Sequence, residues 1–346
     1  MPHPVPEGIA AGPVTDWLAA HVPALTPPVE FRLLAGGHSN LTYICTDSDG
    51  HCYVLRRPPL GHVLQSAHDM ARENRIVTAL GGSGVPVAVS HGLCTDVDVN
   101  GAPFYVMGFV DGTVLHDRTV AEHLPSAERI ALSAHTVEIL ARLHAIDPAQ
   151  VGLGDLGRHE GYIARQLKRW TAQWEATTTH PIPAMEASAR LLGERMPAQV
   201  GVAIVHGDYR LGNFIVGEGR IRAVLDWELC TLGDALADIA YLLNSWVSDT
   251  ETIAGVDEHM PTVAGGFLPR DALLERYAAA SGRDVTHIDY YRAFSYWRIA
   301  AIRQGVYKRY LEGAMGEDRE VDLAAFKRSV ERCAGAALDL LERGSV

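Results

Sequence analysis

The residues best suited to chemistry lie in the segment that begins with His206 and Gly207. Asp208 follows them directly, Asn213 comes five positions later, and Asp226 thirteen positions after Asn213. The apolar Ala-Ile-Val run before the histidine predicts a strand, so the first aspartate should lie on a loop at the edge of a core. A carboxylate in that place can accept a proton from an attacking hydroxyl group. We therefore predict that Asp208 acts as a general base.

The other two side chains frame a predicted hairpin. Asn213 precedes the run Phe-Ile-Val, and Asp226 follows Arg-Ile-Arg-Ala-Val-Leu, with Gly-Glu-Gly as the turn between them. Pairing of the two strands brings both ends together, and amide and carboxylate oxygens suit Mg²⁺. Kinase-type phosphotransferases use an Asp, an Asn and a second Asp in this order, the first as the base and the other two as metal ligands. We expect Asn213 and Asp226 to be metal ligands and His206 to brace the loop.

A family resemblance rests on these motifs. The segments HGDYRLGN and VLDWELCTLGDALAD resemble the aminoglycoside phosphotransferase family, a branch of the protein-kinase-like fold. The segments GGHSNLTY, YVLRRPP and LGDLGRHEGYIARQLKRWTAQW are more similar to the kinase-like modules of some acyl-CoA dehydrogenases. The resemblance covers about residues 30 to 330. It implies ATP and Mg²⁺ as cofactors.

The resemblance also implies a supporting role for Asp238, which would accept hydrogen bonds from the catalytic loop while standing on the helix that follows. From the sequence alone, a position on the solvent face of that helix is an equal alternative. The chain has Ala235 where the family usually has proline after Gly-Asp. This departure concerns the local turn and leaves the predicted chemistry unchanged.

The positioning elements predict an α+β, bilobal protein-kinase-like fold. Residues 1–28 are rich in proline and predict an N-terminal arm with one short helix. Residues 29–110 predict an antiparallel β-sheet lobe with one helix, including a hairpin over residues 95–110 that turns at Asn100-Gly101. Residues 111–346 predict a larger helical lobe that binds the substrate, interrupted by the hairpin described above.

The N-terminal lobe should bind the nucleotide. Gly37, Ser39 and Asn40 lie between two predicted strands, where small side chains let backbone N–H groups approach phosphates. Strand alternation places Val54 and Arg56 on one face, so that Val54 covers the adenine and Arg56 reaches the phosphates. Families of this fold usually have lysine in place of this arginine.

Three further residues complete the predicted nucleotide site. Glu73, on the helix of this lobe, is the expected carboxylate partner of Arg56, although it could be an exposed helix charge. Met107 and Phe109 lie on a strand that could offer main-chain groups to adenine or simply form core. Arg57 is a competing phosphate ligand, but alternation predicts that it points outward.

Composition limits the function. The chain has 42 acidic and 30 basic side chains, a formal charge of −12, which disfavours non-specific nucleic-acid binding. Charges interrupt every apolar stretch, so no membrane span is expected. Five cysteines without a Cys-x-x-Cys pair indicate reduced thiols and a cytoplasmic location. Oligomeric state is not predicted.

Two basic helical clusters bear on the acceptor. If they line the cleft, the acceptor is anionic, but basic helix faces are usually just solvated. The clusters comprise Trp297, Arg298, Arg303, Tyr307, Lys308 and Arg309 on one helix, and Arg165, Lys168 and Arg169 on an earlier one.

The sequence therefore predicts an ATP-dependent phosphotransferase that acts on a hydroxyl group of a small metabolite, with a hydroxyacyl or other anionic compound favoured. An aminoglycoside or a choline-like amino alcohol is the alternative acceptor. Two other classes of protein stay open. One is a non-catalytic nucleotide-binding module, and the other is a metal-dependent phosphohydrolase that uses His206, Asp208 and Asp226 as ligands.

Overall fold

A computed structural model describes residues 4–35, 40–61, 69–247, 260–313 and 322–343. The N-terminal part contains a five-stranded antiparallel sheet in the order β1-β2-β3-β5-β4. Its strands are β1 (Glu30–Ala35), β2 (Leu41–Thr46), β3 (Cys52–Arg57), β4 (Ser90–Cys94) and β5 (Phe104–Gly108). Three helices accompany them: α1 (Ala11–His21), α2 (Met70–Leu80) and α3 (Val97–Asn100).

The alternation of β3 divides its side chains between two apolar layers. Leu55 faces α1 and packs in a cluster with Leu18, so the N-terminal arm is part of the core of this lobe. Val54 faces the other side and packs with Met70 of α2 and Met107 of β5. The sheet is therefore covered on both faces, and α2 lies on the face that also carries Arg56.

The predicted hairpin over residues 95–110 is wrong in its first strand. Residues 90–94 form β4, whereas Val97–Asn100 form the one-turn helix α3. Asp96 accounts for this helix, because its carboxylate caps the turn by accepting the Asp98 N–H at 3.0 Å. The turn closes at Gly101, which has a φ of 71°.

The C-terminal lobe is mainly helical. Its helices are α4 (Arg118–Glu122), α5 (Ser126–Ala145), α6 (Tyr162–Thr177), α7 (Pro183–Glu194), α8 (Leu236–Asn244), α9 (Arg270–Ser281), α10 (Ile288–Leu311) and α11 (Leu323–Arg343). The strands are β6 (Thr113–Val114), β7 (Ala203–Val205), β8 (Phe214–Gly217), β9 (Arg220–Val224) and β10 (Thr231–Gly233). They pair as β6-β8-β9 and β10-β7. The predicted hairpin is β8 and β9, and their register pairs Phe214 with Val224.

A side chain of α2 connects the two lobes directly. Arg72 donates from Nη2 to the carbonyl oxygen of Cys230 at 2.8 Å and to that of Leu156 at 3.1 Å. These two hydrogen bonds therefore fix helix α2 of the sheet lobe against the helical lobe. The α+β architecture with a sheet lobe and a larger helical lobe is confirmed. No helix in the described ranges combines the length and apolarity that crossing a bilayer requires.

Candidate functional site

The loop that carries Asp208 turns sharply after β7. Gly207 has a φ of +87°, and a Cβ atom there would lie 2.9 Å from the carbonyl oxygen of Leu229. Only glycine meets both conditions at low cost, because other residues rarely adopt this backbone region and real Cβ contacts are not this short. The turn directs Asp208 out of the core and into the cleft.

His206 fastens this loop to the end of β9. Its Nδ1 atom accepts the backbone N–H of Asp208 at 3.2 Å, and its Nε2 atom donates to the carbonyl oxygen of Leu225 at 2.9 Å. Both ring nitrogens are therefore engaged in holding the loop. The imidazole is fully buried and cannot offer a lone pair to a metal without breaking one of these bonds.

Asp238 supports the same loop from α8. Its carboxylate accepts the backbone N–H of His206 at 2.6 Å and that of Gly207 at 2.9 Å. It is 1% exposed, so the solvent-facing alternative for this residue is wrong. Burial would raise the pKa of Asp238, but the hydrogen bond and charge of His144, together with the bond from Gly207, lower it overall.

Asp208 is surrounded by three polar side chains. Asn213 donates from Nδ2 to its Oδ2 at 2.7 Å and to its carbonyl oxygen at 2.8 Å. Arg210 donates from Nε to Oδ1 at 3.2 Å. Tyr241 interacts with the same carboxylate, and the pKa of its phenol is raised first by burial and then by the charge of Asp208. The carboxylate is thus held in one orientation while its side chain remains 19% exposed.

The hairpin brings the two predicted metal ligands to the same end. Asn213 directly precedes β8, and its carbonyl oxygen accepts the N–H of Leu225 at 2.8 Å, one residue before Asp226. Asp226 adopts a φ of 64°, a left-handed conformation that turns its carboxylate toward the sheet lobe. Because the Asn213 amide nitrogen donates to Asp208, its Oδ1 atom is the one left to face a cation.

Arg56 of β3 reaches this hairpin across the cleft. Its Nη2 atom donates to Oδ1 of Asp226 at 2.9 Å and lies 3.4 Å from Oε1 of Glu73. Glu73 is 2% exposed and accepts from the Tyr105 hydroxyl at 3.0 Å and from Asn40 Nδ2 at 3.4 Å. The alternative of an exposed Glu73 is therefore wrong. Burial raises the pKa of Glu73, and Arg56 partly offsets this.

Glu228 belongs to the same cluster, although the sequence analysis did not select it. Its carboxylate has an oxygen within 4.8 Å of oxygens from Asp226 and Glu73. Burial, followed by the charge of Asp226, raises the pKa of Glu228 to about 7. The three carboxylates form an oxygen-rich donor set, and carboxylate oxygens suit a hard divalent cation such as Mg²⁺.

The remaining predicted nucleotide residues are distributed over the sheet. Gly37 and Ser39 lie outside the described residues. Val54 and Met107 are register partners in β3 and β5 and pack together on the α2 face. Phe109 is 42% exposed, and its N–H donates to the carbonyl oxygen of Cys52 at 3.4 Å. An adenine could use that N–H only by replacing this long bond.

Arg57 does not point into solvent as the alternation predicted. It lies on the face opposite Arg56, but the N-terminal arm covers it, and it is 7% exposed. Its Nη1 atom donates to the carbonyl oxygens of Gly8 and Asn100. This side chain therefore fastens the N-terminal arm to the sheet, and its guanidinium does not face the cleft in which phosphates would bind.

A pocket of about 490 Å³ opens directly beside Asp208. Its apolar wall includes Leu229, Ile299 and Ile302. Among the described lining residues, Asp208 is the single carboxylate, whereas four are arginines: Arg210, Arg298, Arg303 and Arg332. The pocket is thus cationic around an apolar wall.

A second pocket of about 630 Å³ lies between α6 and α10 and shares Gly207, Leu229, Arg298 and Ile302 with the first. Besides Arg298, its described lining residues include the basic side chains of Arg169, Lys308 and Arg309.

The two basic clusters are only partly in the cleft. Trp297 is fully buried and donates from Nε1 to the carbonyl oxygen of Met185, and Tyr307 is 9% exposed, so both belong to the core. Arg165 and Lys168 are absent from the described walls of both pockets. Some basic side chains of α6 therefore lie on a face outside these pockets, as basic helix faces usually do, whereas several basic side chains of α10 line the pockets.

Three residues of the site escaped sequence reasoning for different reasons. Arg210 stands two positions after Asp208, and Glu228 stands two positions after Asp226. A search for charged residues close in sequence to the two predicted site aspartates could therefore have identified both. Tyr241 had no such signal, because its contact with Asp208 depends on how α8 packs beneath the loop.

Comparisons with known proteins agree with this arrangement. The sequence profile of the phosphotransferase enzyme family, APH, matches residues 30–294. The chain is 38% identical over 294 residues to mouse acyl-CoA dehydrogenase family member 10, a match that covers 83% of this chain but 27% of that protein. The chain therefore spans about a quarter of the length of this relative.

Solved structures show the same fold. A crystallised candidate aminoglycoside phosphotransferase from Ralstonia eutropha is 34% identical, with a TM-score of 0.81 over 96% of this chain and 98% of its own. A thermostable mutant of the aminoglycoside phosphotransferase APH(4)-Ia, in a complex with AMP-PNP and hygromycin B, is 16% identical with a TM-score of 0.61, over 97% and 99% of the two chains. The protein-kinase-like fold is therefore confirmed, and the chain belongs to the APH phosphotransferase enzyme family.

Proposed function

We propose that this protein transfers the γ-phosphoryl group of ATP to a hydroxyl group of a small metabolite that carries a negative charge, such as a hydroxyacyl compound. One observation carries the proposal. The Asp208 carboxylate is fixed by Asn213 at 2.7 Å and opens into a pocket in which four arginines and no other carboxylate are found among the described lining residues.

The phosphoryl donor would bind between the sheet and the hairpin. Arg56 provides a permanent positive charge there, because Glu73 and Asp226 raise its pKa despite burial. Val54 and Met107 supply apolar contact on the same face of the sheet. The structural neighbour that binds AMP-PNP together with hygromycin B supports ATP as the donor and a small molecule as the acceptor.

Asn213 and Asp226 would hold Mg²⁺, with Glu228 and Glu73 nearby as additional oxygen donors. When bound, Mg²⁺ neutralises charge on the β- and γ-phosphates. The chain itself supplies positioning: Asn213 orients the base, and the side chains of His206 and Asp238 keep the loop in place by accepting hydrogen bonds from its backbone N–H groups.

The transfer balances without any further reactant. The acceptor oxygen forms a bond to the γ-phosphorus, the bond from that phosphorus to the bridging oxygen of ADP breaks, and the hydroxyl proton passes to Asp208. Arg210, which donates to Asp208 at 3.2 Å and lines the pocket, places a positive charge beside the group in transfer. Because such transition states need little covalent help, orientation and charge neutralisation provide most of the acceleration.

The acceptor pocket favours an anion over a cation. Four arginines and an apolar wall would attract a carboxylate or phosphate on an apolar chain, whereas a polycationic aminoglycoside or a choline-like amine would be repelled. The space of about 490 Å³ suits a small metabolite. We therefore place the amino-alcohol acceptors second.

The two other classes are less well supported by the geometry. A phosphohydrolase with His206 as ligand would have to break the bonds that its two nitrogens form with Asp208 and Leu225. A non-catalytic nucleotide-binding module would not need a general base directed into a second pocket. Both alternatives make distinct predictions for the assay below.

The test measures ADP release from Mg·ATP with three matched acceptors: a hydroxy acid, its neutral amide and an amino alcohol of the same chain length. We expect the hydroxy acid to give kcat/KM at least about tenfold above the other two, which corresponds to about 1.4 kcal/mol or more from an opposite charge in a cationic pocket. Equal or greater turnover of the amino alcohol would contradict the anionic acceptor. Phosphate release without any acceptor would support a hydrolase.

A further inference from the structure

Arg298 connects the acceptor pocket to the catalytic loop. It lies on α10, and its Nη2 atom donates to the carbonyl oxygen of Gly207 at 3.1 Å. Its Cζ atom lies 5.5 Å from the ring centre of Tyr241, which is within the range of a cation–π contact. One guanidinium therefore contacts both Gly207, the residue before Asp208, and Tyr241, which lines the same pocket as Asp208.

The surroundings of Arg298 are unusual for a cation. Within the described ranges no carboxylate pairs with it, and its Nε atom is buried without a hydrogen-bond partner. Removing part of a guanidinium from water without a counter-charge is costly, so a purely structural arginine at this position is disfavoured. Its fixed contacts are instead with the catalytic loop and with Tyr241.

We propose that Arg298 is a positioning residue for the general base, acting through Gly207 and Tyr241, and that it sets kcat rather than acceptor affinity. The inference rests on the proposed function, because it assigns a role in the same phosphoryl transfer. The carbonyl contact fixes the main chain just before Asp208, and the ring contact fixes Tyr241, whose phenol interacts with the Asp208 carboxylate. A displacement of the base by about 1 Å can lower the rate a hundredfold.

The alternative role is direct binding of the acceptor's negative charge. Arg298 lines both pockets, as an anion ligand would. The two roles separate in kinetics, since loss of positioning lowers kcat whereas loss of an anion ligand raises the acceptor KM. Arg303, five residues along the same helix, lines the pocket without contacting the catalytic loop, and serves as the comparison.

The experiment measures kcat, acceptor KM and the Kd for Mg·ATP in the full chain and in the variants Arg298→Gln, Tyr241→Phe and Arg303→Gln. We expect kcat to fall at least about tenfold in Arg298→Gln, with KM and Kd within about threefold of the parent values. Arg303→Gln should instead raise KM with kcat nearly retained. The variants Arg298→Gln and Tyr241→Phe should combine non-additively, because they disturb one unit.

Thermal unfolding of each variant shows whether it is folded. If Arg298→Gln does not fold, Arg298→Lys repeats the test, because it keeps the positive charge but loses the planar guanidinium that contacts Gly207 and Tyr241. A KM effect without a kcat effect in Arg298→Gln, or full additivity with Tyr241→Phe, would overturn the inference while leaving the proposed function intact. Absence of any transfer by the parent protein would overturn both.

Discussion

Arg56 and Asp226 form an ion pair across the cleft, with Nη2 and Oδ1 2.9 Å apart, although 170 positions separate them in the chain. Arg56 comes from the sheet lobe and Asp226 from the hairpin of the helical lobe. The pair therefore joins the predicted phosphate ligand to the predicted metal ligand. The arginine side chain is 12% exposed, so the contact is shielded from solvent.

Replacing Arg56 with glutamine should impair both stability and nucleotide binding. Glu73 and Asp226 would lose their shared cation, and breaking a buried pair from one side typically costs about 3–5 kcal/mol. We expect a lower denaturation midpoint and a Kd for Mg·ATP at least about tenfold weaker. Calorimetry and denaturant unfolding measure the two effects.

Arg56→Lys is the matched variant, since it retains the charge but loses the planar guanidinium. It should recover part of the nucleotide affinity. Affinity unchanged in the glutamine variant would show that Arg56 does not contact the phosphates.

Replacing Asp208 with asparagine should remove turnover and spare nucleotide binding. The asparagine can still fill the space beside Asn213, but it cannot accept a proton. General-base catalysis is worth about 10²–10⁴ in rate, so kcat should fall by at least about a hundredfold while the Kd for Mg·ATP stays within about threefold. Transfer near the parent rate would contradict the assignment of the base.

Replacing Asp226 with alanine should give the opposite pattern. The cation would lose a carboxylate ligand, so binding of ATP in the presence of Mg²⁺ should become undetectable or much weaker in titration calorimetry. Glu122→Ala serves as the control, because Glu122 is an exposed carboxylate of α4 paired with Arg118. Unchanged affinity in Asp226→Ala would count against its role as a metal ligand.

His144 should make stability depend on pH. Burial lowers its pKa from the ordinary 6.5, with Asp238 partly offsetting this. As the pH falls below about 6.5, the unfolded chain takes up this proton before the folded chain does, so stability present above that pH is lost as the pH falls. The slope is at most about 1.4 kcal/mol per pH unit for one group.

His144→Gln should reduce the slope of the unfolding free energy against pH between about pH 7.5 and about pH 5.5, a range that includes the ordinary histidine pKa. The difference in unfolding free energy between parent and variant isolates His144 from the other histidines. His123→Gln, at an exposed position directly after α4, is the matched control variant. Equal slopes in the parent and His144→Gln would contradict the account of the buried network.

Local patterns predicted much of the fold because they report local physics. Strand alternation around Val54 matches β3, and the predicted helix that carries Trp297 and Arg309 is α10. Helix α7, which begins at Pro183, was not predicted. The spacing of Asn213 and Asp226 correctly indicated that both lie at one end of a hairpin, because paired strands bring their ends together. The roles of Asp208, Asn213 and Asp226 stay predictions.

What the sequence could not show depends on contacts between distant segments. Arg298 reaches Gly207 across 91 positions, and no periodicity of α10 indicates which of its arginines does so. The raised pKa of Glu228 likewise follows from burial beside Asp226 in the folded cleft. Such properties arise from packing and need coordinates to be seen.

The most direct test of the proposed function is a mass-spectrometric screen of hydroxylated metabolites incubated with the protein and Mg·ATP. We expect at least one anionic hydroxy compound to gain the mass of one phosphate group, together with stoichiometric ADP. The product should be missing with the Asp208→Asn variant. Nucleotide binding without any phosphorylated product, or equal product from that variant, would contradict phosphoryl transfer by this site.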